Sequence, residues 1–207
     1  MKGELERVYV PHRVAWRAWL ESNHDSSPGV WLIFYKKESG KPRVAYDAAV
    51  EEALCYGWID SVANKLDAER YMQFFSPRRP GSGWSALNKR RVERLAAAGL
   101  IAPAGQAKIA LAQVDGSWTR LDAVESMVMP EDLRRVFARK KRALAHWEGF
   151  SRSVKKGILG WIGAARRPET RRKRIAETVA MAGRGLRAQF DREADEDSRK
   201  EQKHERS

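Results

Sequence analysis

Apolar positions in this chain fall into short blocks whose spacing predicts an alternation of helices and strands. Residues 11–23 read as a helix, with Pro11 at its first position and Val14, Ala18 and Trp19 on one face. A Ser26-Ser27-Pro28-Gly29 turn follows, and the unbroken run Val30-Trp31-Leu32-Ile33-Phe34-Tyr35 predicts a buried strand. A second helix is expected from an Asp47 cap to Tyr56, with Ala49, Val50, Ala53 and Leu54 as its core stripe. Gly57 stands where a left-handed C-cap would fall. Residues 58–62 and 70–75 read as strands that pair antiparallel across a long polar turn.

Ser85 is the expected N-cap of a helix that ends near Gly99, and residues 103–114 form another, closed by Asp115-Gly116. From Pro130 onward the pattern is helical. Pro130-Glu131-Asp132 places a proline and two acids at a helix start, which suits the macrodipole. Ser151 caps a helix with Val154, Ile158, Trp161, Ile162 and Ala165 on one face, and Pro168-Glu169 opens a last helix that stops by Gly183 or Gly185. The expected architecture is α+β. A small antiparallel sheet packs with helices in residues 1–120, a basic helical region spans 121–185, and a charged tail spans 186–207, expected to be disordered.

Composition adds three constraints. With 207 residues, 43% hydrophobic content and eight tryptophans, the chain can build a sizeable core. No run of 18 apolar residues occurs, so no transmembrane helix is expected, and the first seven residues lack an apolar signal core. Cys55 is the one cysteine and cannot form an internal disulfide, which fits a cytoplasmic location. The net charge of +13 is uneven: residues 1–120 carry 18 basic and 13 acidic side chains, residues 121–185 carry 16 and seven, and residues 186–207 carry six and seven. Such an excess attracts nucleic acid, anionic lipid or acidic protein, or is a solvated surface. The runs Arg139-Lys140-Lys141-Arg142, Lys155-Lys156, Arg166-Arg167 and Arg171-Arg172-Lys173-Arg174 suit phosphate contact without sequence reading. Non-specific nucleic-acid binding through these basic C-terminal helices is therefore one functional reading.

The densest chemistry lies between Phe75 and Lys89. Arg78, Arg79, Gly81, Gly83 and Ser85 combine guanidinium forks, glycines that admit a close ligand and a helix start whose N–H groups are unpaired. Together they suit a small anionic ligand, although GxxxxGK[ST] is absent; the alternative is a solvated loop. On a helical wheel Leu87, Val92, Leu95 and Ala98 form the apolar side, and Asn88 and Arg91 fall within it. They line a pocket under the loop, or Asn88 bonds to backbone and Arg91 pairs with Asp60, Asp67 or Glu69. Trp58, Asp60 and Trp84 are the candidate walls or orienting groups of that ligand site. Glu52 or Asp60 could serve as a general base in an enzyme, or neutralise nearby arginines. Cys55 reads as a buried structural thiol. His12, His24, His146 and His204 show no metal-ligand spacing, and no cofactor fingerprint occurs, so no metal or cofactor is expected. Aromatics at 31, 34, 35, 58, 71, 74, 75 and 84 could form a base-stacking platform, but alternation along a strand lets only half face one side, and core packing accounts for them better.

Several of these segments together resemble one family. They are Ser27-Pro28-Gly29-Val30-Trp31-Leu32, Tyr35-Lys36-Lys37, Tyr46, Glu51-Glu52-Ala53-Leu54-Cys55-Tyr56-Gly57-Trp58-Ile59-Asp60, Phe75-Ser76-Pro77-Arg78-Arg79-Pro80, Trp84-Ser85-Ala86-Leu87-Asn88-Lys89 and residues 161–171. The chain is similar there to the YdeI/OmpD-associated, or bacteriocin-protection, proteins over most of residues 10–185. Ser61 departs from that pattern, which has glycine after Trp-Ile-Asp. The resemblance implies a bacterial or archaeal stress or bacteriocin-tolerance protein with an α+β N-terminal part and a helical C-terminal part. It carries over no catalytic residue.

Overall fold

In the computed structural model the run Val30–Tyr35 (β2) is a central strand of a four-stranded sheet. Residues 5–191 are described. The chain divides into two compact units, Met1–Arg120 and Leu121–Ser207, each with its own core.

In the first unit β1 (Arg7–Tyr9) pairs parallel with β2, while β4 (Arg70–Pro77) runs antiparallel to β2 and to β3 (Trp58–Lys65). The order is β1-β2-β4-β3. The expected antiparallel strands are present, and β1 adds a parallel pair that the sequence pattern did not indicate. Three residues carry too little periodicity to announce a strand. Alternation along β2 buries Val30, Leu32 and Phe34, which pair with Phe75, Gln73 and Tyr71 of β4. Trp31, Tyr35 and Phe74 share the other face, where the Trp31 and Phe74 rings lie 5.2 Å apart. The β3–β4 ladder shifts register between Asp60 and Ala63, so Ser61 sits in an irregular, exposed stretch.

Helix α1 (Arg13–Asn23) begins after His12, whose Nδ1 accepts from the Ala15 amide at 3.2 Å; Pro11 lies one residue before this cap. Its inward face is Trp16 and Leu20, both fully buried, whereas Val14 is 73% exposed and Ala18 is also exposed. The expected face is therefore corrected. Trp16 wins the interior because its large ring packs on Phe75 while its indole N–H donates to the Ala49 carbonyl at 3.0 Å. Helix α2 (Tyr46–Cys55) buries Ala49, Val50, Ala53 and Leu54, and Gly57 closes it with φ of 72°. Helix α3 (Ala86–Ala97) starts at Ser85, whose hydroxyl accepts from the Asn88 amide at 3.2 Å. Val92 and Leu95 anchor it, while Leu87 is 49% exposed and Ala98 is exposed, so its apolar stripe is narrower than the wheel suggested. Helix α4 (Pro103–Val114) passes very close to the end of α2: a Cβ on Gly105 would lie 2.2 Å from the Cys55 carbonyl oxygen.

The second unit contains α5 (Asp122–Glu125), α6 (Glu131–Ala138), α7 (Lys141–Gly149), α8 (Arg152–Gly163) and α9 (Pro168–Gly183). Ser151 caps α8 through the Val154 amide, and Ile158 and Ile162 face inward as their spacing predicts. Their partners are Leu133, Phe137 and Trp147 from α6 and α7, and Ile175, Val179 and Ala182 from α9. The ordered chain continues past α9. Ala188 is fully buried, Leu186 packs against the same core, and the Phe190 ring lies over Gly157, leaving no room there for a side chain. Packing therefore persists into the segment assigned to the charged tail, because Leu186 and Ala188 serve the core, while Phe190 stays half exposed. From residue 192 the tail is outside the described residues.

Candidate functional site

The loop after β4 is built around Arg78. Its amide donates to the Gly57 carbonyl at 2.9 Å, which ties the loop to the α2–β3 turn. Its side chain turns inward and is only 5% exposed. The guanidinium carbon sits 3.8 Å from the Trp84 ring centroid, and one terminal nitrogen donates to the Gly83 carbonyl at 2.8 Å. The Nε atom is buried and has no hydrogen-bond partner. Burial pulls this arginine down to about 10, with Asp60 acting through space in the opposite direction. Among the described residues Asp60 is the carboxylate that acts on it, and it does so without a hydrogen bond.

The outer part of the loop is held from α4 and the turn beyond it. Gly81, at φ of 72°, donates its amide to Asp115 Oδ2 at 2.9 Å, and Arg120 donates to the Gly81 carbonyl. Asp115 also receives the Ser117 hydroxyl and amide, which hold its carboxyl below the usual range. Ser82 closes the loop on the Arg79 carbonyl at 2.8 Å. Beneath lies a cleft of about 10 Å³, the room of roughly one oxygen atom, lined by Arg78, Arg79, Trp84, Lys108, Asp115 and Ser117 among others.

The structure thus gathers Arg78, Arg79 and Trp84 around one cleft. It adds Lys108, Asp115 and Ser117, which the sequence marked only as helix or turn; nothing local announces that α4 returns beneath the loop. The other candidates have different partners. Ser85 caps α3. Asn88 Oδ1 accepts from Arg91 at 3.0 Å, and Arg91 pairs with Asp47, not with Asp60, Asp67 or Glu69. Trp58 is 1% exposed, donates to the His24 carbonyl at 3.0 Å and meets Trp19 edge-on. Asp60 accepts from the Tyr46 hydroxyl at 2.6 Å and from Gln73 at 3.3 Å; burial and that bond push the Tyr46 phenol well up. Glu52, 2% exposed, pairs with Arg13 and, at 2.7 Å, with Arg17. Neither Glu52 nor Asp60 lines the cleft that holds Arg78 and Arg79. Burial pushes the Cys55 thiol up, which suits a structural group. No metal-binding cluster of His, Cys, Asp or Glu occurs among the described residues, and no helix there is long and apolar enough to cross a membrane.

In the helical unit the acids are largely engaged. Asp132 takes two bonds from Arg171, at 2.6 and 3.0 Å, Glu125 takes Lys156 at 2.6 Å and Glu131 takes Arg134 at 3.1 Å. Arg139, Lys140, Lys141, Arg142, Arg166, Arg167, Arg172 and Lys173 are exposed.

These features define an α+β protein with an arginine-centred loop in one unit and a strongly basic helical surface in the other. Residues 126–185 match the family described as bacteriocin-protection, YdeI or OmpD-associated. Residues 8–108, which include the Arg78 loop, match a domain of unknown function, DUF8412. No curated protein and no solved structure matches the chain significantly.

Proposed function

We propose that the protein is an accessory stress or bacteriocin-tolerance factor whose N-terminal unit holds a small oxyanion beside Arg78. The observation that carries this reading is a buried guanidinium with an unpartnered Nε and no paired carboxylate. A buried cation is disfavoured until an opposite charge and hydrogen bonds meet it. The cleft is read as room for one oxygen of a phosphate or carboxylate beside the Arg78 side chain, with Arg79 and Lys108, which line the same cleft, meeting the remaining charge. Asp115 lines the same cleft, but its carboxylate is engaged by loop amides, which leaves the cationic groups dominant.

Calorimetric titration with inorganic phosphate, a nucleoside monophosphate and a dicarboxylate tests the site. Arg78→Met should abolish binding and Arg79→Ala should weaken it about tenfold, the loss of one charge-assisted contact. Equal binding by the parent and an Arg78→Ala/Arg79→Ala double variant would remove the site. For the physiological half of the proposal, a strain lacking the gene should survive bacteriocin challenge less well, with rescue by the parent chain but not by Arg78→Met.

A further inference from the structure

We infer that the helical unit binds duplex nucleic acid along the outer side of α9, contacting the phosphate backbone without reading sequence. The buried side of α9 is Ile175, Thr178, Val179, Met181 and Ala182. Its outer side carries Arg172, Ala176 and Ala180, and the C-cap residue Arg184 follows at the same four-residue spacing; all four are exposed, and Arg184 has a partner within the chain. At 1.5 Å per residue the two arginines stand about 18 Å apart along the axis. Successive members of such a ridge rotate by about 40°, so the arginines lean toward opposite shoulders of the face. A major groove is about 12 Å wide, and two long side chains diverging from one helix reach phosphates on both of its walls. The alanine methyls between them let the helix backbone approach the groove. Lys173 and the exposed Arg166 and Arg167 extend the cationic end.

Charge selects the occupant. Three of this unit's acids are drawn into pairs: Asp132 with Arg171, Glu125 with Lys156 and Glu131 with Arg134. Glu169, in the first turn of α9, is exposed on the same helix, and Glu177 is half-buried with a partner of its own. An anionic membrane is a poorer match, because the exposed large apolar residues of this unit are Val128, Val136 and Phe190, none on α9, so the helix offers no wedge for acyl chains. A single strand is also a poorer match. Trp161, the aromatic next to α9, lies under Arg174 with the guanidinium 5.0 Å from its ring, and is not offered for base stacking. The exposed outer positions hold no Asn, Gln, Ser or Thr to read base edges, so binding is sequence-tolerant.

Fluorescence anisotropy of the full chain with unrelated duplexes of about 20 base pairs, across a salt series, tests the inference. We expect similar affinities for every sequence and a log–log salt slope of about −4 to −6, reduced by about one unit in Arg172→Gln and again in Arg184→Gln. Ala180→Glu, an exposed change that leaves the core untouched, should weaken binding at least about tenfold. Arg134→Gln, the same charge change on α6, should weaken it less than about threefold. Affinity that ignores salt overturns the inference. So do equal losses in those two variants, or tighter binding to phosphatidylglycerol vesicles or to single strands than to duplex.

Discussion

Arg78 is where sequence and structure diverge most usefully at the scale of one residue. Two arginines in a Gly/Pro loop suit an anion site or a solvated loop; only Arg79 is exposed, and Arg78 is folded inward on Trp84. Its lowered value has a definite sign for stability. The folded chain holds that proton less tightly than the unfolded chain, so a penalty of about 3 kcal/mol is fully present below pH 10 and fades as pH rises toward the ordinary arginine range. The stacking on Trp84 and the bond to Gly83 offset part of it. Arg78→Met, similar in length and uncharged, should therefore unfold at a denaturant concentration no lower than the parent at neutral pH, with the gap narrowing above pH 10. A loss of more than about 2 kcal/mol in urea titrations would instead make this guanidinium a brace. Local chemistry was legible at most caps, since Ser85, Ser151 and Gly57 act as their residue types predict; Asp47 does not, because α2 starts at Tyr46 and Ala45 holds the cap position. Pairing was not: Arg91 chooses Asp47 over three other acids, a choice made by how α3 lies on α2.

Elements were read from period and punctuation, so the long ones were visible and the short ones were not. The β2 run and the helix starts at Pro103 and Pro168 fall where the sequence puts them, whereas α1 begins two residues after the expected Pro11. β1 has three residues and α5 four, too few to show any repeat. Which helix face turns inward is a further step that periodicity does not decide, as α1 shows by burying Trp16 in place of Val14. The contact between α2 and α4 is likewise tertiary. Because a backbone carbonyl, not a flexible side chain, would meet the new methyl, Gly105→Ala should cost about 2–3 kcal/mol despite its higher helix propensity. Differential scanning calorimetry would show this as a drop of several degrees; an unchanged midpoint would mean that α4 can slide.

At the scale of the whole molecule, two separate cores predict that damage stays local. Gly105→Ala should lower a melting transition of the N-terminal unit alone. Asp132→Asn should lower that of the helical unit by removing the α6–α9 staple, an effect of about 1 kcal/mol for a pair this exposed. Arg171 holds the Asp132 carboxyl below its usual range. That stabilisation is present above pH 3.8 and is lost as pH falls through the depressed value, so the variant should lose less stability than the parent on acidification below pH 4. Both lesions moving one common transition would show that the units unfold together. The uneven charge was fully legible, because it is a property of composition. The ridge on α9 was not, because it needs the inward side of that helix to be known first.

The segment after α9 has a practical consequence for handling the protein. The family match stops at residue 185, but Leu186 and Ala188 still pack in the helical core and the Phe190 ring lies over Gly157. A chain cut at that match boundary would leave the groove at Gly157 open and bare the apolar residues behind it, making the unit prone to self-association.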